Sequence, residues 1–311
     1  MFALRGIAIS LSFFWFTYCL FSALTASSWQ FLHRVRTIPP RVSATFLFAA
    51  RILPLSVSIA VTLALTVPSF ILLEPRGTDE GIGVAPIVFS AFCVTLFAVC
   101  FMRAIYAQTD TQEVISQWLR GARTLSLSEA VPAFQLAGTV PPLTLAGLRR
   151  PRLFVSEGAL SVLSPDELTV AVKHEVAHMR VHDNFKKLIL RLAWFPGMGE
   201  LDKAWQRAAE LRADQEAVSS AREALDLAAA LIKLSRQPQN ESLPTVSMGL
   251  VRDAFVTVRV GRLLNWEETD LRSRWKLPSL LLCGAVLLSI IAVAYGPLLQ
   301  ETHAIAEWLV R

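Results

Sequence analysis

Two histidines one helical turn apart, His174 and His178, stand in the stretch KHEVAHMRVHD, with Glu175 directly after the first. At i and i+4 on a helix their imidazoles share a face, and two neutral imidazoles on one face make half of a zinc site. Glu175 lies about a quarter-turn round. That is awkward for joining both histidines on one metal, but it suits removal of a proton from a water activated there. This is the chemistry of an HExxH motif, in which the metal lowers the pKa of water and the glutamate is the general base. The competing reading is a solvated helix face carrying incidental histidines, and a third ligand separates the two.

His182 is the nearest candidate in sequence. Eight residues of continuous helix would carry it about 12 Å from His174, and Met179, Arg180 and Val181 offer no glycine to turn the chain back. His182 is therefore expected to be a helix-end residue, its charged form favoured by the helix dipole. A better third ligand is Glu210, in LDKAWQRAAELRADQEAV, where Asp214 follows at i+4. Glu210 could bind the metal while Asp214 orients a ligand histidine through its other ring nitrogen. Taken by itself, that pair also fits the charged face of an amphipathic helix.

The elements that must hold these groups are legible nearby. Ser164 is an N-cap, Pro165 sits at the first helical position and Glu167 closes a capping box, so a helix is expected from there to about His182. Downstream, the apolar FKKLILRLAWF ends in a break at Pro196 and Gly197 before the Glu210 helix. At its length, and with Lys186, Lys187 and Arg191, it is too short and too charged to span a bilayer. It is expected to pack in the domain or lie at a membrane surface. FQLAG, LTLAGL and RLFVS read as short strands, with RLFVS a candidate edge strand for receiving a peptide backbone. Arg222, His182 and Tyr106 are unranked candidates for oxyanion stabilisation.

This polar segment sits in a chain of 311 residues that is 53% hydrophobic. The apolar residues concentrate in blocks at Gly6 to Ala26, Leu53 to Leu73, Ile82 to Tyr106 and Leu277 to Leu299, each long enough to cross a bilayer as helix. Pro54 and Pro68 interrupt the second, which is tolerable where neighbours satisfy the freed carbonyls. The first block is read as an anchor: Arg5 alone charges its n-region, and no clean cleavage site follows. His33, Arg34, Arg36 and Arg41 make the first connection basic, EPRGTDEG makes the second acidic, and Arg259, Arg262, Arg272, Arg274 and Lys276 precede the fourth block. The positive-inside rule then puts the first connection and the polar segment in the cytoplasm and both termini outside. The net charge of +5 is largely this inner-face arginine, so no nucleic-acid partner is implied. Cys19, Cys93, Cys100 and Cys283 all fall in apolar blocks and read as small hydrophobes. Gln237 to Ser247 reads as a polar loop.

HEVAH followed some thirty residues later by ELRAD resembles the gluzincin membrane metallopeptidases, which include the beta-lactam-sensor (antirepressor) type and the CAAX-prenyl-protease/heat-shock type. GLRRPRLFVSEGAL, DNFKKLILRLAWFP and RVGRLL are further matching segments, and the span order is similar to the antirepressor type. The resemblance covers most of Pro132 to Leu264. It implies His174, His178 and Glu210 as zinc ligands, Glu175 as the base and Asp214 as the residue orienting a ligand. In the antirepressor sensors a penicillin-binding domain follows the last span, whereas QETHAIAEWLVR stands here, so direct beta-lactam sensing is not expected of this stretch.

The expected fold is thus mainly α: a polytopic membrane protein with four transmembrane helices and an α-rich gluzincin domain carrying a small β-sheet. Residues 1–106 would hold three spans, 107–276 a cytoplasmic peptidase and 277–311 the fourth span with a short external tail. The expected activity is zinc-dependent cleavage of cytoplasmic or membrane-proximal proteins at a bacterial-type inner membrane. Cutting of a helix-turn-helix repressor, quality control of membrane proteins, and non-catalytic signal transduction on the same fold are the roles to separate.

Overall fold

The computed structural model describes residues 2–32, 40–75, 81–127, 131–137, 142–237, 247–249, 255–266 and 295–308. Most of the fourth apolar block, the basic residues Arg272, Arg274 and Lys276 before it, and Cys283 lie outside the described residues. So do most of the basic first connection, the centre of the acidic second one and most of the polar loop at Gln237 to Ser247.

Three helical stretches are long and apolar enough to cross a membrane: Phe2–Gln30, Ser43–Leu73 and Val84–Arg120. The first belongs to α1 (Phe2–Leu32) and the third is α4 (Val84–Arg120). The second is compound, running through α2 (Pro40–Val61), a π-helical turn (Thr62–Thr66) and α3 (Val67–Leu73). Pro68 explains why. It has no N–H to give to the Ala64 carbonyl one turn back, the ladder widens there, and the Tyr295 hydroxyl donates to Ala64 O at 2.8 Å instead. A neighbour thus satisfies the carbonyl that the proline frees.

The chain divides into two compact units. The first takes residues 1–34, 50–99 and 270–311, and so holds most of the apolar helices. Within it Arg5 pairs with Glu74 at 2.9 Å, both buried. The second takes 35–49 and 100–269 and contains the histidine motif.

The second unit is built on a five-stranded mixed sheet of order β1-β2-β4-β3-β5. Its strands are β1 (Arg123–Leu125), β2 (Ala133–Leu136), β3 (Leu143–Ala146), β4 (Arg152–Ser156) and β5 (Ser247–Gly249). β2 and β4 run parallel, and the other neighbours are antiparallel. Alternation along the strands sorts their side chains to two faces. Leu143, Leu145, Leu153 and Val155 enter the main core, where they meet α6 (Pro165–Arg180) and α9 (Ala221–Ser235). Ala146, Phe154 and Leu136 face the other way, against Ile115, Trp118 and Leu119 of α4. The expected strands FQLAG, LTLAGL and RLFVS are β2, β3 and β4. RLFVS is not an edge, however: β4 is paired on both sides, and the edges are β1 and β5.

Sequence chemistry accounts for the helices that matter. At the start of α6 the Ser164 hydroxyl accepts from Glu167 N at 3.2 Å, and Glu167 Oε2 accepts from Ser164 N at 2.8 Å. That reciprocal cap is worth about 1 kcal/mol. The helix ends at Arg180, two residues short of the expected end. His182 there takes the left-handed conformation (φ 56°), although no glycine supplies the turn. The turn starts α7 (Asp183–Leu192). Asp183, Asn184, Lys187 and Leu190 are its buried residues, so the FKKLILRL stretch packs within the unit and leaves Phe185 exposed. Gly197 (φ 85°) breaks the chain before α8 (Gly199–Ala217), which carries Glu210 and Asp214.

Candidate metal centre

Helices α6 and α8 pack together and bring three ligand atoms to one point. His174 Nε2 and His178 Nε2 are 3.2 Å apart. Glu210 Oε2 lies 3.4 Å from the first, and its Oε1 lies 3.6 Å from the second. A tetrahedral ion with bonds of roughly 2.05 Å separates its ligands by about 3.3 Å. Both histidines are buried, and the Arg259 guanidinium also approaches the group, at Glu210 Oε2 and His174 Nε2. His174, His178 and Glu210 therefore form a group that could hold a metal ion.

Their supports fix which nitrogens face the metal. His174 Nδ1 lies 3.0 Å from Asp214 Oδ1, and His178 Nδ1 lies 2.8 Å from Asp183 Oδ2. The hydrogen bond to Asp183 selects the Nδ1–H tautomer of His178 and leaves its Nε2 lone pair for the ion, while Asp214 stands beside His174 Nδ1 within ion-pair distance. Asp214 was the expected partner of a ligand histidine. Asp183 was not foreseen. It sits at the first position of α7, fully buried, bound also by Arg212 of α8 and by Lys186 at 3.3 Å.

Glu175 is fully buried. Its Oε2 accepts from the Leu145 N–H at 3.1 Å, which ties the motif helix to β3, and its Oε1 has no hydrogen-bond partner. Asn184 of α7 donates to the carbonyls of Leu145 and Gly147, both at 3.3 Å, so the same strand end is gripped from two helices.

The second group missed from sequence is Arg259, on α10 (Val256–Leu264). It was counted with the arginines flanking the fourth span, but its side chain is buried. Its Nε donates to Asp214 Oδ2 at 2.8 Å and its NH2 to Asp214 Oδ1 at 2.6 Å, in a bidentate fork. NH1 stands 3.0 Å from Glu210 Oε2, and NH2 is 3.5 Å from His174 Nε2. The only local signal was an arginine inside the amphipathic run VTVRVGRLL, which is also what a membrane-flanking charge looks like.

The charges at this centre suit a divalent cation. Glu175, Asp214 and Asp183 are buried carboxylates and Glu210 a partly buried one, with the buried guanidinium groups of Arg212 and Arg259 among them. Fully ionised, and with Lys186 counted beside Asp183, the cluster keeps a net negative charge that favours a cation. Without it the environment divides the groups. Burial pushes the Glu175 carboxyl up to about 7, against the lowering by His174 and His178. Burial also acts to raise Glu210, but Arg259 and the two histidines together outweigh it and hold that carboxyl well below the usual range. Asp214 is lowered in the same way, burial opposing and Arg259 and His174 together prevailing. For His178 burial acts downward, yet Glu210 and Asp183 carry it up to about 9. A proton on His178 then stands in for the missing positive charge.

The remaining candidates do not join the group. His182 is exposed at the α6–α7 turn, where it lines a small cavity of about 260 Å³ with His178, Asp183 and Asn184. Arg222 is exposed and pairs with Asp166 at 3.1 Å. Tyr106 is 70% exposed on α4, well outside the buried cluster. A second set of possible ligands, Glu74, His303 and Glu307, lies in the first unit. There Arg5 neutralises Glu74 and Glu307 is the i+4 neighbour of His303, so ion pairing accounts for it. No family model and no curated protein matches the chain.

Proposed function

We propose that this chain is an integral-membrane zinc endopeptidase that hydrolyses peptide bonds of cytoplasmic or membrane-proximal proteins. One observation carries the reading: two imidazole nitrogens and a carboxylate that could share one metal ion, with a buried and half-bonded carboxylate, Glu175, next to the first of them. Zinc supplies a Lewis acid that polarises a carbonyl and activates water. The protein's own groups supply the rest. Glu175, steadied by the Leu145 N–H, takes a proton from the attacking water and passes it to the leaving amine. Asp183 holds the His178 imidazole, Asp214 stands beside His174 Nδ1, and Arg259 with the histidines favours the ionised form of Glu210.

The resemblance to the antirepressor-type peptidases and the charge bias of the connecting segments support a cytoplasmic site with four spans and external termini. On that reading the substrates include a transcriptional repressor of the helix-turn-helix kind. Purified full-length protein in detergent, loaded with zinc, should cut an unfolded protein substrate, lose the activity on chelation and regain it when zinc returns. A zinc-loaded preparation that cuts nothing, or whose activity survives both chelation and Glu175→Gln, would sink the proposal.

A further inference from the structure

A larger cavity, of about 1100 Å³, lies between α4 and the loop that follows β3. One wall is basic, with Arg149, Arg150 and Arg152, and no carboxylate lines it among the described residues. The other wall is apolar, with Ile115 and Leu119 of α4 facing Phe185 and Leu188 of α7. The arginine loop is held in shape by Gly147 (φ 104°), where a Cβ would come within 2.9 Å of Arg150 O. Gly147, Leu148, Arg149, His182 and Phe185 are shared with the small cavity that reaches His178. The basic space therefore adjoins the small cavity, which one of the ligand histidines, His178, helps to line.

We propose that this cavity is a subsite for an acidic, amphipathic segment of the protein substrate, a few residues from the bond to be cut. The proposal rests on the peptidase reading and adds the substrate's chemistry to it. Three guanidinium groups without a carboxylate among them attract aspartate, glutamate or a peptide's terminal carboxylate. The apolar wall takes the intervening hydrophobic side chains. A purely anionic small ligand would leave Ile115, Leu119 and Phe185 unused. A neutral peptide would leave the arginines unmatched.

Binding separates this inference from catalysis. Full-length Glu175→Gln protein, in nanodiscs of zwitterionic lipid, is titrated into fluorescent ten-residue peptides of one apolar pattern, carrying either glutamates or glutamines. Each partly exposed charge pair is worth a factor of about 2 to 5, so the acidic peptide should bind roughly tenfold more tightly at low salt. The gap should close in 0.5 M salt, roughly where screening takes over. Arg149→Glu with Arg152→Glu should invert the preference toward a lysine peptide, and Arg150→Glu alone should weaken it. Equal binding of the two peptides, or an acidic preference that survives charge reversal, overturns the subsite. It is equally overturned if the reversals change only the response to anionic lipid in the nanodisc. An acidic preference in a protein that cuts nothing as wild type supports the subsite and removes the peptidase reading.

Discussion

Proton release on metal binding is the most direct consequence of the geometry at His178. Its Nδ1 is held by Asp183, and its Nε2 stands 3.6 Å from Glu210 and 3.2 Å from His174. In the metal-free protein it is raised to about 9 and so carries a proton at neutral pH. Zinc must displace that proton to use Nε2. Apparent zinc affinity should then rise about tenfold per pH unit from pH 7 to 9, ~100-fold in all or about 2.7 kcal/mol. Above pH 9 it should level off. Glu175, raised to about 7, is half protonated at that pH and loses its share when a cation arrives. Total release at pH 7 should therefore lie between one proton and about one and a half. Calorimetric titration of zinc into metal-free protein, in buffers of different ionisation enthalpy, reads the number directly. Asp183→Asn removes one of the two charges that raise His178. Its plateau should begin at lower pH, with roughly 10–100-fold weaker zinc binding at pH 9. An affinity flat between pH 7 and 9, or an unmoved plateau in Asp183→Asn, would refute the assignment of the proton to His178.

Other expectations are simpler. Glu175→Gln should retain its zinc and lose cleavage, checked by metal content and rate on one preparation. Glu210→Ala should lose most of its zinc, because three protein ligands become two, whereas Asp214→Ala should bind roughly 10–100-fold more weakly. Glu223 bonds to Lys173 at 2.7 Å and is lowered from 4.5 to about 2, chiefly by that contact. A lowered carboxyl stabilises the fold above its unfolded value and ceases to as pH falls through the folded one. Glu223→Gln should thus cost about 1 kcal/mol at pH 7 after allowing for solvent screening, and clearly less at pH 3, in denaturant unfolding of both forms. Cysteines placed at Thr78 and Gln239, in a background without the four native ones, should react with an impermeant thiol reagent in intact cells at Thr78 only. The reverse pattern would put the peptidase outside.

What was legible in the sequence was what local chemistry dictates. Ser164, Pro165 and Glu167 announce α6, and spacing alone puts His174 with His178 and Glu210 with Asp214. Long apolar runs announce the three candidate spans, and Pro68 marks where the second must find a substitute donor, which Tyr295 supplies. Groups that depend on chain reversal or on distant contact were not legible. Asp183 reaches His178 only because the chain turns at His182, and no glycine advertises that turn. Arg259 lies 45 residues beyond Asp214, and nothing near it says whether its charge faces lipid or a buried carboxylate. The edge assignment of RLFVS failed for a related reason. A five-residue apolar strand reads the same whether it has one neighbour or two, and the three-residue β5 that helps define the edge carries almost no pattern of its own.

The left-handed residue at the end of α6 also constrains how this site can drift under mutation. Five positions separate a ligand histidine from the aspartate that steers it, and the reversal within that interval is made by a residue with a Cβ. A residue inserted or deleted there would swing Asp183 about 100° around the new helix axis and strand Arg212 without its partner. The interval is therefore closed to length change, although it lies at a solvent-exposed corner, where insertions are usually tolerated. Substitution at His182 is constrained in kind. Glycine or asparagine adopts the left-handed region readily, while valine or isoleucine resists it by about 1 kcal/mol or more. A surface position with no part in the ligand set thus still filters sequence variation, through the backbone conformation it must hold.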